Sequence, residues 1–383
     1  MKNFKDIAYI GVDDNELDLF EGQYVIPEGV SYNSYLISDD KIAVVDTVDK
    51  SKIGRWLEKL EDALGGSQPD YLIVSHMEPD HSAGIAAFAA KYPAASIVGN
   101  AKTFDMYSRF YGGELPAKTV VKDGDTLSLG SHELVFITAP MVHWPEVMVT
   151  YDKTDKVLFS ADAFGKFGAL DNDDGDWDCE ARRYYFNIVG KYGVQVQALL
   201  KKLASCEINA ICPLHGPVLD ENLAYYVGLY DIWSKYEAET DGTFVAYASV
   251  YGHTKDAALA VARELESRGE KVAVTDLARC DLAEAVEDAF RYSRMVLAAP
   301  TLDGGIFPAM AEFIAHIKAK NYQNRKVAFI ENGSWAPVSG KLMRSELEGQ
   351  KNMTFVDNVI TCRSGLPENI DELAAEFADA LLD

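Results

Sequence analysis

Directly after the apolar run at residues 71–74, the chain reads Ser75-His76-Met77-Glu78-Pro79-Asp80-His81, with four side chains able to hold a metal within six positions. A strand end hands a rigid scaffold over to a loop, and alternate positions there point the same way, so His76, Glu78 and Asp80 are expected to converge. Three further candidates sit at strand ends or in the loops behind them: His143 after ELVFITAP, Asp162 after KVLFS, and His215 in Cys212-Pro213-Leu214-His215-Gly216. Four of the seven histidines fall in this set, which concentrates the imidazoles on one chemistry. Hard carboxylates mixed with imidazoles suit a borderline or hard divalent metal, and the set is large enough for two metals sharing one carboxylate. Asp46, ending KIAVVD, is either a carboxylate that orients a ligand imidazole or the start of a turn. Trp144 and Tyr24 either wall a pocket for a small substrate or belong to the core.

A second constellation follows the strand TFVAYASV: Ser249, Val250, Tyr251, Gly252, His253 and Thr254 lead straight into a helix. Hydroxyls, a glycine and the unpaired N–H groups of a helix N-terminus form an anion site. The pattern resembles the phosphate loop of flavodoxins, which carries one terminal phosphate rather than a pyrophosphate, so FMN fits better than NAD or FAD. Pro300, Thr301, Leu302, Asp303, Gly304 and Gly305 follow the third strand of this half, and Asn332, Gly333, Ser334 and Trp335 the fourth. In a doubly wound sheet these loops meet outside the carboxyl ends of the strands, where the glycines admit a flavin ring and Trp335 can stack near it.

The elements that must position these residues fall into two halves. Up to about residue 240, short strands alternate with turn signals and some helical stretches. After the polar stretch at 237–243, five strands are each followed by a helix, the pattern of a doubly wound parallel sheet. The expected boundary lies at residues 239–243, giving domains 1–240 and 243–383. A length of 383 residues is ample for two cores, and 36 basic against 60 acidic residues, a net charge of −24, disfavours a nucleic-acid partner. No apolar run approaches the roughly 18 residues of a membrane span, and the N-terminus lacks a signal-peptide pattern, so a cytoplasmic protein with no membrane partner is expected. The five cysteines contain no C-x-x-C pair, which leaves no rubredoxin-type iron site in the chain and reads as buried thiols in a reducing compartment.

Together these motifs resemble the flavodiiron proteins, a likeness that spans essentially the whole chain. It implies an α/β architecture: an N-terminal metallo-β-lactamase-like αββα sandwich, then a C-terminal flavodoxin-like doubly wound parallel sheet. Zinc hydrolases of the wider superfamily carry H-x-H-x-D-H, whereas Glu78 stands here at their second histidine, and the harder oxygen ligand favours iron. The resemblance assigns His76, Glu78 and His143 to one iron, Asp80, His81 and His215 to the other, and Asp162 to the bridge; in some members the histidine matching His81 lies off the metal. It also implies two iron ions and FMN as cofactors, reduction of dioxygen to water or nitric oxide to nitrous oxide, and a rubredoxin or rubredoxin-like reductase as external donor. The expected assembly is a head-to-tail homodimer or a dimer of such dimers. Two other readings are a zinc hydrolase with an accessory flavodoxin domain, which Glu78 disfavours, and an electron shuttle with an inert first half, which the intact ligand set disfavours.

Overall fold

The computed structural model describes residues 4–173 and 175–383. Contacts divide the chain into two units, Met1–Asp231 and Ile232–Asp383.

The first unit is built on two sheets. One runs in the order Ile7–Tyr9, Tyr35–Ile37, Ala43–Val45, Tyr71–Ile73, Ser96–Gly99 and Lys118–Val120, its last four strands parallel. The crossovers carry the helices Ile53–Leu64, Ile85–Lys91 and Ala101–Phe110. In Ile53–Leu64 the buried residues Trp56, Leu60 and Leu64 recur every fourth position, one face of a helix, and Gly65 ends it at φ 56°. The second sheet is a meander of Thr126–Ser128, Glu133–Thr138, Met148–Asp152 and Val157–Phe159, joined in parallel by Ala210–Cys212. Leu134 and Phe136 are buried while their neighbours are less so, the period of two that one covered face requires. Tyr35, Val45, Ile73 and Val98 of one sheet share a single core with Phe136, Met148, Phe159 and Cys212 of the other, so the sheets pack face to face as the αββα reading expects.

The second unit is one parallel sheet in the order Val272–Asp276, Thr240–Tyr247, Tyr292–Leu302 and Lys326–Asn332, then a fifth position. This 2-1-3-4-5 order is that of flavodoxins. Two details differ from the expectation. The fifth strand is split into Thr354–Phe355 and Ile360–Cys362, both paired with Lys326–Asn332, because the polar Asp357-Asn358 interrupts the apolar run. The stretch 239–243 also opens the strand Thr240–Tyr247 instead of forming a free linker. Gly242 lets that strand start close to its neighbour, since a Cβ there would lie 2.6 Å from the Lys271 carbonyl oxygen. Just upstream, Arg325 donates to the Tyr236 carbonyl at 2.7 Å and to the Glu237 carbonyl at 3.2 Å, fixing this segment to the fourth strand.

Candidate functional site

Seven side chains converge at the carboxyl ends of the first unit's strands in two adjoining groups, His76 with Glu78, His143 and Asp162, and Asp80 with His81 and His215. Glu78 Oε2 lies 3.2 Å from His76 Nε2 and 3.0 Å from His143 Nε2. Asp80 Oδ2 lies 3.2 Å from His81 Nε2 and 3.3 Å from His215 Nε2. Asp162 straddles the two groups, its Oδ2 3.2 Å from His76 Nε2 and 3.3 Å from His143 Nε2, its Oδ1 3.4 Å from His81 Nε2. The carboxylate oxygens of Asp80 and Asp162 are buried without a well-formed hydrogen bond, and His81 Nε2 faces His215 Nε2 at 3.1 Å. Buried anionic oxygens and mutually facing imidazole nitrogens fit cations, and oxygen and nitrogen donors without sulfur fit a pair of iron ions.

His76 follows the strand Tyr71–Ile73 and Asp162 follows Val157–Phe159. His143 lies in the turn between Glu133–Thr138 and Met148–Asp152, and His215 follows Ala210–Cys212. His76, Glu78 and Asp80 converge, but not through the extended alternation expected, and in two adjoining groups. Pro79 starts a single helical turn, Pro79–Ser82, which rotates Asp80 and His81 away from Glu78 and into the second group. Asp46, Met141, Ala161 and Phe164 adopt positive φ around the site, strain that the surrounding hydrogen bonds must hold. Gly216, at φ 78°, admits Lys166, whose Cγ would lie 2.6 Å from a Cβ there, so the His215 loop accepts no side chain at that point.

Asp46 does not touch a ligand imidazole through a described hydrogen bond. Its Oδ1 accepts the Ser75 N–H at 2.6 Å, bracing the backbone just before His76. Burial pushes its carboxyl up to about 6. Glu146, which sequence reasoning missed, lies 2.7 Å from His76 Nδ1; its only sequence signal was a carboxylate three residues after His143. His215 Nδ1 lies 2.7 Å from the Ser31 carbonyl oxygen. Each of these contacts leaves Nε2 facing the centre.

Electrostatics set the ionisation of the metal-free centre. Burial opposes the charge on Asp162, but His76, His143 and His81 outweigh it and hold the carboxyl well below its ordinary range. Burial likewise opposes protonation of His143, yet Asp162 and Glu78 raise the imidazole to about 9. Its proton stabilises the metal-free fold fully below the ordinary value of 6.5, and that contribution is lost as pH rises through about 9. A metal ligand must be neutral, so loading ferrous iron at pH 7 should release the His143 proton to solvent. His76 and His81 are also held above their ordinary range, so only the His143 share of the release, followed by pH-stat, should be lost as pH is raised through about 9; loading at pH 7 without any release would contradict it.

Of the two readings open for Tyr24, wall or core, the structure gives the core. Tyr24 is buried against Phe167 and donates to the Asn187 carbonyl, so it belongs to the core. Phe20, Tyr184 and Tyr32 instead ring His215, with centroids 5.3, 5.5 and 6.1 Å away. Trp144 packs edge-on to His76 at 5.1 Å and stacks on the surface residue Phe110. A third group, His132, Asp152 and Asp155, is a turn: Asp152 accepts from His132 and from the Thr154 and Asp155 N–H groups, which commits its oxygens.

In the second unit a cleft of about 740 Å³ lies at the carboxyl ends of the parallel strands. Ser249, Val250, Tyr251, His253, Thr254, residues 300–304, residues 332–336 and Ser364 line it. Gly252 takes φ 98° before the helix His253–Ser267, and its N–H donates to Ser249 Oγ, closing a loop at a helix N-terminus, whose N–H groups suit an anion. Gly252 and Gly305 shape their loops without lining the cleft, Gly305 by opening a short strand that pairs with Tyr292–Leu302. Tyr251 and Trp335, each 90% exposed, stand at its edge as stacking faces. The size suits a cofactor, and Gly304 has open space where a Cβ would be, so the residues fit FMN. Ser364 was missed because it follows the split fifth strand; a pair of hydrogen bonds with Asn332 brings it to the cleft.

Comparison with known proteins agrees with both halves. The ODP family beta lactamase matches residues 30–216, and the flavodoxin domain matches residues 244–358. An uncharacterized protein of Methanocaldococcus jannaschii is 30% identical over 98% of this chain and 96% of its own length. The anaerobic nitric oxide reductase flavorubredoxin of Escherichia coli is 29% identical over 86% of this chain and 71% of its own. Among solved structures, the flavodiiron protein from Giardia intestinalis superposes with a TM-score of 0.93 at 25% identity, covering 99% of this chain and 96% of that one. The rubredoxin oxygen:oxidoreductase of Desulfovibrio gigas gives 0.92 at 25% identity, covering 100% and 97%. A lactamase-type unit with two adjoining oxygen–nitrogen ligand groups, followed by a flavodoxin unit with an open cleft, makes this chain a member of the flavodiiron proteins, oxidoreductases built on a diiron site and FMN.

Proposed function

We propose that the chain reduces dioxygen to water, nitric oxide to nitrous oxide, or both. The observation that carries the reading is Asp162, with one oxygen toward each of two matched ligand groups. In this reading His76, Glu78 and His143 hold one iron, Asp80, His81 and His215 hold the other, and Asp162 bridges them. The first unit is the metal domain and the second unit, with residues 243–383, the FMN domain, with Ser249, Val250, Tyr251, His253 and Thr254 on the phosphate and residues 300–304 and 332–335 beside the ring. When bound, a ferrous pair and a reduced flavin together supply the four electrons that reduction of dioxygen to water consumes. The chain's own part is to keep Glu78 and Asp162 anionic and Nε2 of each imidazole aimed inward. Phe20, Tyr32 and Tyr184 meanwhile exclude bulk water from the His215 side.

The names of the Desulfovibrio gigas and Escherichia coli relatives support a rubredoxin-type electron donor. With no C-x-x-C pair among its five cysteines, the chain would take its electrons from a separate rubredoxin or rubredoxin-like reductase. Among the described residues no helix is long and apolar enough to cross a membrane and no disulfide forms, which supports a cytoplasmic setting. The test supplies iron- and FMN-loaded protein with reduced rubredoxin and one gas at a time. Consumption of dioxygen without accumulation of peroxide, or of nitric oxide with formation of nitrous oxide, supports the reading; consumption of neither overturns it.

The reading includes a head-to-tail dimer in which the flavin of one chain serves the irons of its partner. A variant emptied of iron through His143→Ala and a variant disabled in the loop at 249–254 are each inactive. After subunit exchange, activity should reappear, because one heterodimer interface pairs an intact flavin with an intact metal centre. A mixture that stays inactive although exchange is confirmed would place the transfer within a chain.

A further inference from the structure

The two ligand groups are matched in type. Each has two imidazoles and one carboxylate of its own, and Asp162 is shared. They differ in what stands behind the ligands. Glu146 is 1% exposed, and its Oε1 lies 2.7 Å from His76 Nδ1 and accepts the Met77 N–H at 2.8 Å. Its Oε2 is buried with no hydrogen-bond partner. In the other group, His215 Nδ1 meets the neutral Ser31 carbonyl, and His81 Nδ1 is buried with no hydrogen-bond partner. Glu146 reaches His76 from the turn that supplies His143, a turn closed by the Met141 N–H on the Trp144 carbonyl at 2.8 Å. One turn thus provides a ligand and backs another.

We infer that Glu146 is a positioning residue that makes the two metals electronically unequal. It holds His76 as the Nδ1–H tautomer with Nε2 free for the metal, and its negative charge increases the electron density that the imidazole donates. An anion in a poorly screened interior stabilises the additional positive charge of an oxidised ion. The metal of His76, Glu78 and His143 therefore has the lower reduction potential of the pair and oxidises first. This inference rests on the diiron reading above.

The test is an anaerobic redox titration of fully loaded wild-type, Glu146→Gln and Glu146→Asp proteins, following the iron by Mössbauer spectroscopy, with iron and FMN measured per chain. Glutamine keeps the size and an acceptor oxygen for both N–H groups but removes the charge. The expected result is two irons retained, the lower potential raised, the higher one unmoved, and the wild-type separation recovered at least in part by Glu146→Asp. Loss of a single iron from Glu146→Gln, with the other retained, supports the same assignment. Two retained irons with both potentials unchanged or shifted equally, or loss of both irons, would overturn it. A wild-type protein that binds no iron overturns the diiron reading itself and the inference with it, an outcome distinct from a failure of Glu146 alone.

Discussion

Asp162→Ala should empty both metal positions, leaving a folded, flavin-binding protein with gas reduction lowered by more than about 100-fold, beyond the roughly 10–100-fold carried by groups that only back a ligand. The reason is geometric. Oδ2 faces His76 and His143 while Oδ1 faces His81, so a single side chain serves both groups. Removing it takes away a ligand from each and the anion that screens two adjacent cations from one another. The metal-free centre would also change, because His76 and His143 would lose the carboxylate that supports their protonation most directly. Metal content per chain, measured beside flavin content, checks the prediction. A variant that keeps two irons and wild-type turnover would remove Asp162 from the bridge.

Replacing Glu78 with histidine should shift the first group from iron toward zinc. Glu78 Oε2 is the hard anionic donor between His76 and His143, and the substitution exchanges it for a neutral nitrogen in the H-x-H-x-D-H arrangement of zinc hydrolases. Zinc has no accessible redox change, so turnover should fall in proportion to the zinc taken up. Loading with equal iron and zinc under anaerobic conditions, followed by metal analysis, gives the answer. A Glu78→His protein that still takes a full complement of iron would show that Glu78 does not set the preference.

The seven side chains that converge were legible in the sequence because they stand at the ends of apolar strands or in the loops behind them, where the two-residue period stops and a polar residue has no packing role. What was not legible depended on local geometry or distant contact. Extended alternation predicted that His76, Glu78 and Asp80 would meet; a proline-started helical turn sorted them into two groups instead. Glu146 gave only its spacing from His143, and nothing in spacing says that its carboxylate reaches back across 70 positions to His76. Phe20 comes from Leu19–Phe20, a two-residue strand too short to show a period, yet its ring packs against His215. Tyr24, which the sequence left between wall and core, donates its hydroxyl to the Asn187 carbonyl in the core. In the second half, three long apolar strands made the parallel sheet plain, whereas the fifth is broken by polar residues, and Ser364 beyond it joins the cleft only through its pairing with Asn332.

The most direct test of the account is the composition of the centre itself: iron, zinc and flavin per chain in protein purified without air, together with its absorption spectrum. The account predicts iron near two per chain, one FMN and flavin absorption bands, because seven oxygen and nitrogen ligands stand in two matched groups and the flavodoxin cleft is open. Zinc at the ligand groups with no flavin would contradict it and would turn the chain into a hydrolase carrying an idle flavodoxin domain.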